Sequence, residues 1–169
     1  MEARLISKER IASEMHAPRM AIPTDFPLWL NLTREVEPLF GPMVEDPVFR
    51  KSLMLCIQEK HAFCVSDEDH TNLLGGILID PKENEILWLA VTRKARGRSI
   101  GQALLIEALA NLDLQRSVFV QTYDPSIPDG RAAVLLYEKA GFSISRDAGD
   151  NPAGISTVIM SRPPSEISE

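Results

Sequence analysis

The stretch ARGRSIGQALL, residues 95–105, sets two arginines, two glycines and a serine in front of an uninterrupted apolar run. The glycines break regular structure, and the run from Ile100 has the composition of a helix. A helix that starts here leaves its first backbone N–H groups without acceptors, at the positive end of the helix dipole. Gly97 and Gly101 let those groups approach an anion closely, and Arg96 and Arg98 add charge. Residues 93–98, RKARGR, hold four of the 18 lysines and arginines in a chain of formal net charge -6. The cluster is therefore a local feature rather than part of a basic surface. Two readings stand open at this point: a solvent-exposed basic turn, or a cradle for phosphate. The spacing matches neither G-x-x-x-x-G-K-[ST] nor G-x-G-x-x-G.

Upstream, EILWLAVT (85–92), LLGGILID (73–80) and AFCVS (62–66) read as three strands joined by polar turns, an antiparallel meander. Gly75-Gly76 inside the middle strand points to a bulge or to close approach by another group. Asp46-Pro47 starts a helix with Phe49, Leu53, Cys56 and Ile57 on one face. Before it, Thr24-Asp25 caps a helix with Pro27 in its first turn, ended by Pro38 and Gly41. Arg19 to Ile22 has the character of a short first strand. Downstream of the opening stretch come a helix over about 100–112, a strand VFVQTY (118–123) and a break at PDG (128–130). A short helix RAAVLLYEKA (131–140) is stopped by Gly141, and two strands, FSISR and ISTVIMS, follow around GDNPAG. The order predicts an α/β (mixed α+β) domain: one mixed, mostly antiparallel sheet with helices on both faces. Residues 1–17 are expected to be an N-terminal extension and 18–169 a single domain.

The bulk properties exclude several classes. A length of 169 residues with 44% apolar and 25% charged residues suits one soluble domain with a real core. The longest apolar run, Leu73 to Ile79, is far short of the roughly 20 residues of a membrane span. MEARLISKER does not read as a secretory leader, so a cytoplasmic location is expected. The two cysteines, Cys56 and Cys64, match no redox or zinc spacing. No His-x-x-x-His pair is present, and no metal is expected. The acidic balance argues against a nucleic-acid surface.

The three segments EILWLAV, RGRSIGQALL and LYEKAGF (136–142), in this order and separation, resemble the GCN5-related N-acetyltransferase (GNAT) family. EILWLAV is similar to the family's central strand. RGRSIGQALL resembles its acetyl-CoA motif, Arg/Gln-x-x-Gly-x-Gly/Ala, and LYEKAGF is close to Leu-Tyr-x-x-x-Gly-Phe. The likeness covers residues 18–161 in topology and is specific over about 85–142. Two departures stand out. Ser99 replaces the first glycine of the loop motif, still able to cap the helix, and Gly130 stands where the family often has Asn.

The resemblance implies an N-acetyltransferase that moves an acetyl group from acetyl-CoA to a primary amine by direct attack in a ternary complex. It also implies a sheet splayed beside the EILWLAV strand, with acetyl-CoA in the gap. Backbone groups of Leu89, Ala90 and Val91 would hold the pantetheine arm, and an N–H there would polarise the thioester carbonyl. Arg96, Gly97, Arg98, Ser99, Ile100, Gly101 and Gln102 would hold the pyrophosphate. Tyr137 would protonate or hydrogen-bond the departing thiolate. Glu85, which simple alternation sets on the face of Leu87, Leu89 and Val91, is the candidate base. Asp124, His61 and His70 are weaker ones. Trp29, Phe40, Met43, Phe49 and Asp124 fall in the segments that form the acceptor side in this fold, which gives that side apolar surface with few fixed charges. The partners expected are acetyl-CoA and an amine, with no nucleic acid or membrane and with a homodimer left open. The alternative is a CoA-binding regulatory module without turnover.

Overall fold

The computed structural model describes residues 17–166; nearly all of the expected N-terminal extension, residues 1–16, lies outside them. The strands are β1 (Arg19–Met20), β2 (Ala62–Ser66), β3 (Leu73–Asp80), β4 (Glu85–Val91), β5 (Val118–Tyr123), β6 (Ser143–Asp150) and β7 (Ser156–Arg162). The helices are α1 (Phe26–Phe40), α2 (Pro47–Gln58), α3 (Ile100–Ala110) and α4 (Arg131–Lys139). The strands form one sheet in the order β1-β2-β3-β4-β5-β7-β6. Every neighbouring pair is antiparallel except β4 and β5. The GNAT-like mixed architecture expected from the sequence is the one observed.

The sheet has an apolar layer on each side. On one, Trp29, Leu32 and Val36 of α1 and Leu53 and Ile57 of α2 pack on Cys64, Leu78, Trp88 and Ala90. On the other, Ile100, Leu104 and Ala108 of α3 and Val134 and Tyr137 of α4 cover Phe63, Ile77, Ile79, Ile86 and Val120. Gly75 and Gly76 serve these two layers in turn. A Cβ on Gly76 would lie 2.5 Å from the Trp29 ring, and one on Gly75 would lie 3.0 Å from Ile100 and Leu104. The pair therefore marks close approach of a helix on each face. Trp29 is fully buried; removing on the order of 200 Å² of indole from water contributes about 5 kcal/mol.

Three local expectations are corrected. Asp25 does not cap α1 through its side chain. Its carboxylate accepts two hydrogen bonds from the Arg19 guanidinium, at 2.8 and 2.9 Å, and one from Ile22 N–H at 2.8 Å. The bidentate pair ties the chain before α1 to β1. Pro38 does not end α1, which runs through it to Phe40 and stops at Gly41, φ +102°. Finally, Ser99 does not cap α3. It adopts the left-handed conformation, φ +61°, and its hydroxyl accepts no cap hydrogen bond.

One irregularity in β4 controls everything around the gap. Leu78 pairs with Trp88, but Ile79 pairs with Ile86, so Leu87 is an extra residue, a β-bulge. Below the bulge β4 pairs with β5 at Glu85 and Ile86. Beyond it the two strands separate, and β5 continues along β7 as far as Tyr123.

Candidate active site

The bulge and the separation expose the edge of β4. Thr92 N–H donates to Leu74 O at 2.8 Å. The alternation of an antiparallel ladder then commits the backbone groups of Trp88 and Ala90 to β3 and turns N–H and C=O of Leu89 and Val91 toward the gap. Those are polar groups without a strand partner. Ala90 was expected to offer its backbone as well, but its parity directs it away. The bulge also reverses the side chains. Ile86 joins the layer under α3 and α4, as Leu89 and Val91 do, whereas Trp88 and Ala90 join the layer under α1 and α2. Glu85, paired with Asp80 and Phe119, therefore lies on the Trp88 face. Simple alternation, which set it with Leu89 and Val91, fails because it does not count the extra residue.

Two cavities meet at the gap. The larger, about 690 Å³, lies on the α3/α4 side. Leu89, Ala90, Val91, Arg96, Gly97, Ser99, Ile100, Gly101 and Gln102 line it; Arg98 does not. The first intrahelical bond of α3 runs from Ala103 N–H to Ser99 O, at 3.0 Å, so the N–H groups of Ile100, Gly101 and Gln102 precede the ladder and have no helical acceptor. A Cβ on Gly97 would meet nothing within 4 Å. This glycine has φ +78° and lines the cavity. A chain of free N–H groups at a helix start, open space and an arginine form an anion cradle.

The smaller cavity, about 490 Å³, lies on the α1/α2 side and reaches through the gap to Tyr137. Tyr137 comes from α4 on the opposite face and is buried, with its ring edge-on to Phe142 at 5.5 Å between centroids. Its hydroxyl has no hydrogen-bond partner among the described residues. Burial pushes its pKa far above that of a free phenol, helped by the neighbouring Tyr123. Phe40 and Met43 line this cavity, as does Phe49; Trp29 and Asp124 do not. Asp124 turns back on its own loop, accepting from Ser126 N–H and Oγ–H at 2.9 and 2.7 Å. Glu85, His61 and His70 line neither cavity.

Sequence reasoning missed Tyr123. It ends β5, lines both cavities together with Phe40, Leu89 and Ala133, and packs on Phe40 at 5.7 Å between centroids. Burial pushes its pKa up to about 12, against the lowering charge of Arg96. Gly130 accounts for its placement: a Cβ there would lie 2.3 Å from Tyr123 Cβ. The glycine at the position of the family's Asn is the signal that could have found it. Asn151, also missed, donates from Nδ2 to Leu39 O at 2.8 Å and fastens the β6–β7 turn to the end of α1. Lys139 and Arg162 add cations to the larger cavity.

A sheet opened between its single parallel pair, with an anion cradle on one face and a second cavity on the other, has the layout of an acyl-CoA transferase. The family model for the acetyltransferase (GNAT) domain matches residues 59–144. The chain belongs to that family, and is an acetyl-CoA-dependent N-acetyltransferase by class. Solved structures share the fold at low identity. A ribosomal-protein-alanine N-acetyltransferase from Brucella melitensis is 16% identical, with a TM-score of 0.66 over 86% of this chain and 98% of that one. A GNAT-family acetyltransferase from Bacillus cereus is 14% identical, with a TM-score of 0.64 over 88% and 97%. The PaiA N-acetyltransferase of Thermoplasma acidophilum, solved with coenzyme A, is 18% identical, with a TM-score of 0.61 over 86% and 97%. No curated protein matches the sequence. Among the described residues no helix is long and apolar enough to cross a membrane.

Proposed function

We propose that the chain, through a single acyltransferase unit over residues 18–169, acetylates a primary amine by direct attack within a ternary complex. The observation that carries this reading is the meeting of two cavities, from opposite faces of the sheet, at the gap between β4 and β5. Bound acetyl-CoA supplies an electrophilic acyl carbon and a thiolate leaving group. N–H groups of Gly97 to Gln102 receive the pyrophosphate at the α3 N-terminus, with Arg96 adding charge. The gap-facing N–H and C=O groups of Leu89 and Val91 hold the pantetheine arm, and one N–H polarises the carbonyl.

The amine enters through the smaller cavity. Its nitrogen bonds to the acyl carbon, the C–S bond breaks with its electron pair moving to sulfur, and one N–H proton leaves. A free alkylamine has a pKa of about 10.4, so a base assists near neutral pH. Glu85 lies on the acceptor face of β4, outside the cavity wall, and serves as that base through solvent. Tyr137 delivers its phenolic proton to the thiolate and is reprotonated from solvent.

The test is free-thiol release with acetyl-CoA over a panel of amines, for the parent and for Tyr137→Phe. The variant is expected to lose about 100-fold or more in turnover while its acetyl-CoA Kd stays within about twofold. Unchanged turnover overturns the assignment of Tyr137. Acetyl-CoA binding without thiol release from any amine would instead identify a CoA-binding regulatory module.

A further inference from the structure

We infer that the acceptor is a monoamine carried on an apolar body, without a carboxylate or a second cationic group near the nitrogen. This rests on the catalytic reading above and specifies the substrate class for its smaller cavity. The wall is mostly apolar, and Phe40, Met43, Phe49, Leu53, Leu87 and Trp88 are among its residues. Val48, the most exposed large apolar side chain among the described residues at 72%, and Leu87, at 47%, both line this cavity. Exposed apolar groups gathered in one concavity mark a surface that an apolar ligand covers.

Charge narrows the class further. Among the described residues no lysine, arginine or histidine lines the cavity, and Asp46 is its one charged group. A carboxylate on the acceptor would find no counter-ion there and would face Asp46. A polyamine would set its additional ammonium groups against aliphatic and aromatic walls, with one exposed carboxylate to share. Both place charge on apolar surface without a partner, which is costly. Asp46 is itself partly committed, since its Oδ1 accepts from Val48 N–H at 2.9 Å.

Four of the cavity's polar side chains come from β5 and β7; Asp46, Ser52 and Asn151 are others. Gln121, Thr122, Tyr123 and Thr157 join Tyr137 in the lining. Gln121 Nε2 donates to Thr157 Oγ1 at 2.9 Å, and Thr157 Oγ1 donates to Gly149 O at 2.8 Å. That relay fixes the amide so that Gln121 Oε1 remains to accept an N–H. The cavity thus sets a polar strip of β5 and β7 beside mostly apolar walls, as an amine with a single apolar substituent requires.

The chemistry fits either a free arylalkylamine or a peptide N-terminus whose side chain is apolar. The experiment measures kcat/KM from thiol release at saturating acetyl-CoA. The acceptors are 2-phenylethylamine, phenylalanine (the same body with a carboxylate), spermidine, and two short peptides that begin with Leu or with Asp. Phenylethylamine is expected to exceed phenylalanine and spermidine by at least about tenfold, or the Leu peptide to exceed the Asp peptide by as much; which pair responds identifies the source. In Ser52→Asp, a change at an exposed lining position, spermidine is expected to gain at least about fivefold relative to phenylethylamine. Phenylalanine, spermidine or the Asp peptide turning over as well as its apolar counterpart overturns the inference and leaves the catalytic reading in place. Absence of thiol release with every acceptor overturns both.

Discussion

Ser99 carries a conformation that suits glycine. A left-handed backbone costs a residue with a Cβ about 1–2 kcal/mol, and Ser99 receives no capping bond in return. Replacement by glycine removes that strain and adds freedom to the unfolded chain, which offsets part of the gain. Ser99→Gly is expected to be more stable by about 0.5 kcal/mol, read from the urea midpoint, with acetyl-CoA affinity equal or tighter. Weaker binding would show that the hydroxyl itself contacts the nucleotide. Glu85 offers a test by pH. Its pKa is raised above 4.5, first by burial and then by the charges of Asp80 and Glu83. A base must be deprotonated, so activity rises as pH passes upward through that raised value. Glu85→Gln is expected to lower the rate at neutral pH and to abolish this acidic limb in the kcat/KM profile. An unmoved limb with a normal rate removes Glu85 from the mechanism. Of these residues, Tyr137 and the glycine turn were readable as candidates in the sequence because each is part of a local motif. Tyr123 was not, because its role depends on a gap made by other segments and on the missing side chain of Gly130.

At the scale of elements, the α1 C-terminus and the β6–β7 turn form one wall of the smaller cavity, through Phe40, Asn151 and Pro152. Asn151 donates to Leu39 O, and its own Oδ1 accepts from Ala153 N–H at 2.9 Å and Ile155 N–H at 3.1 Å. Pro152 lies against Gly41, where a Cβ would come within 2.6 Å of the proline ring. Asn151→Ala unties the turn from the helix and leaves Leu39 O without its donor, at a cost of about 1–3 kcal/mol. The expected result is a KM for the amine several-fold higher, with the acetyl-CoA Kd unchanged, because the anion cradle belongs to α3 on the opposite face. Equal damage to both constants would show that the wall supports the whole domain rather than the acceptor cavity. Strand and helix existence was readable from periodicity here; the Asn151 link, joining residues 112 apart in sequence, was not.

For the whole molecule, the two cavities lie mainly on opposite faces of the sheet and share Phe40, Leu89, Tyr123 and Ala133 at the gap. A ligand that binds the native state alone stabilises it by RT ln(1 + [L]/Kd), about 2.7 kcal/mol at 100 times Kd. For a domain of this size acetyl-CoA at that excess is expected to raise Tm by about 5–10 °C in scanning fluorimetry. No shift at saturating concentration would argue that the turn at residues 96–102 does not hold the nucleotide. The amino-acid sequence alone determined the order of elements, the mixed sheet and the loop that begins α3, because turn chemistry, hydrophobic period and local motifs act over a few residues. Tertiary structure decided three things: which backbone groups of β4 face the gap, the face on which Glu85 stands, and the apolar cavity on the α1/α2 side. Each depends on the register of β4 against β3, and a single extra residue at Leu87 exchanges one face of the sheet for the other without leaving a mark in the hydrophobic pattern.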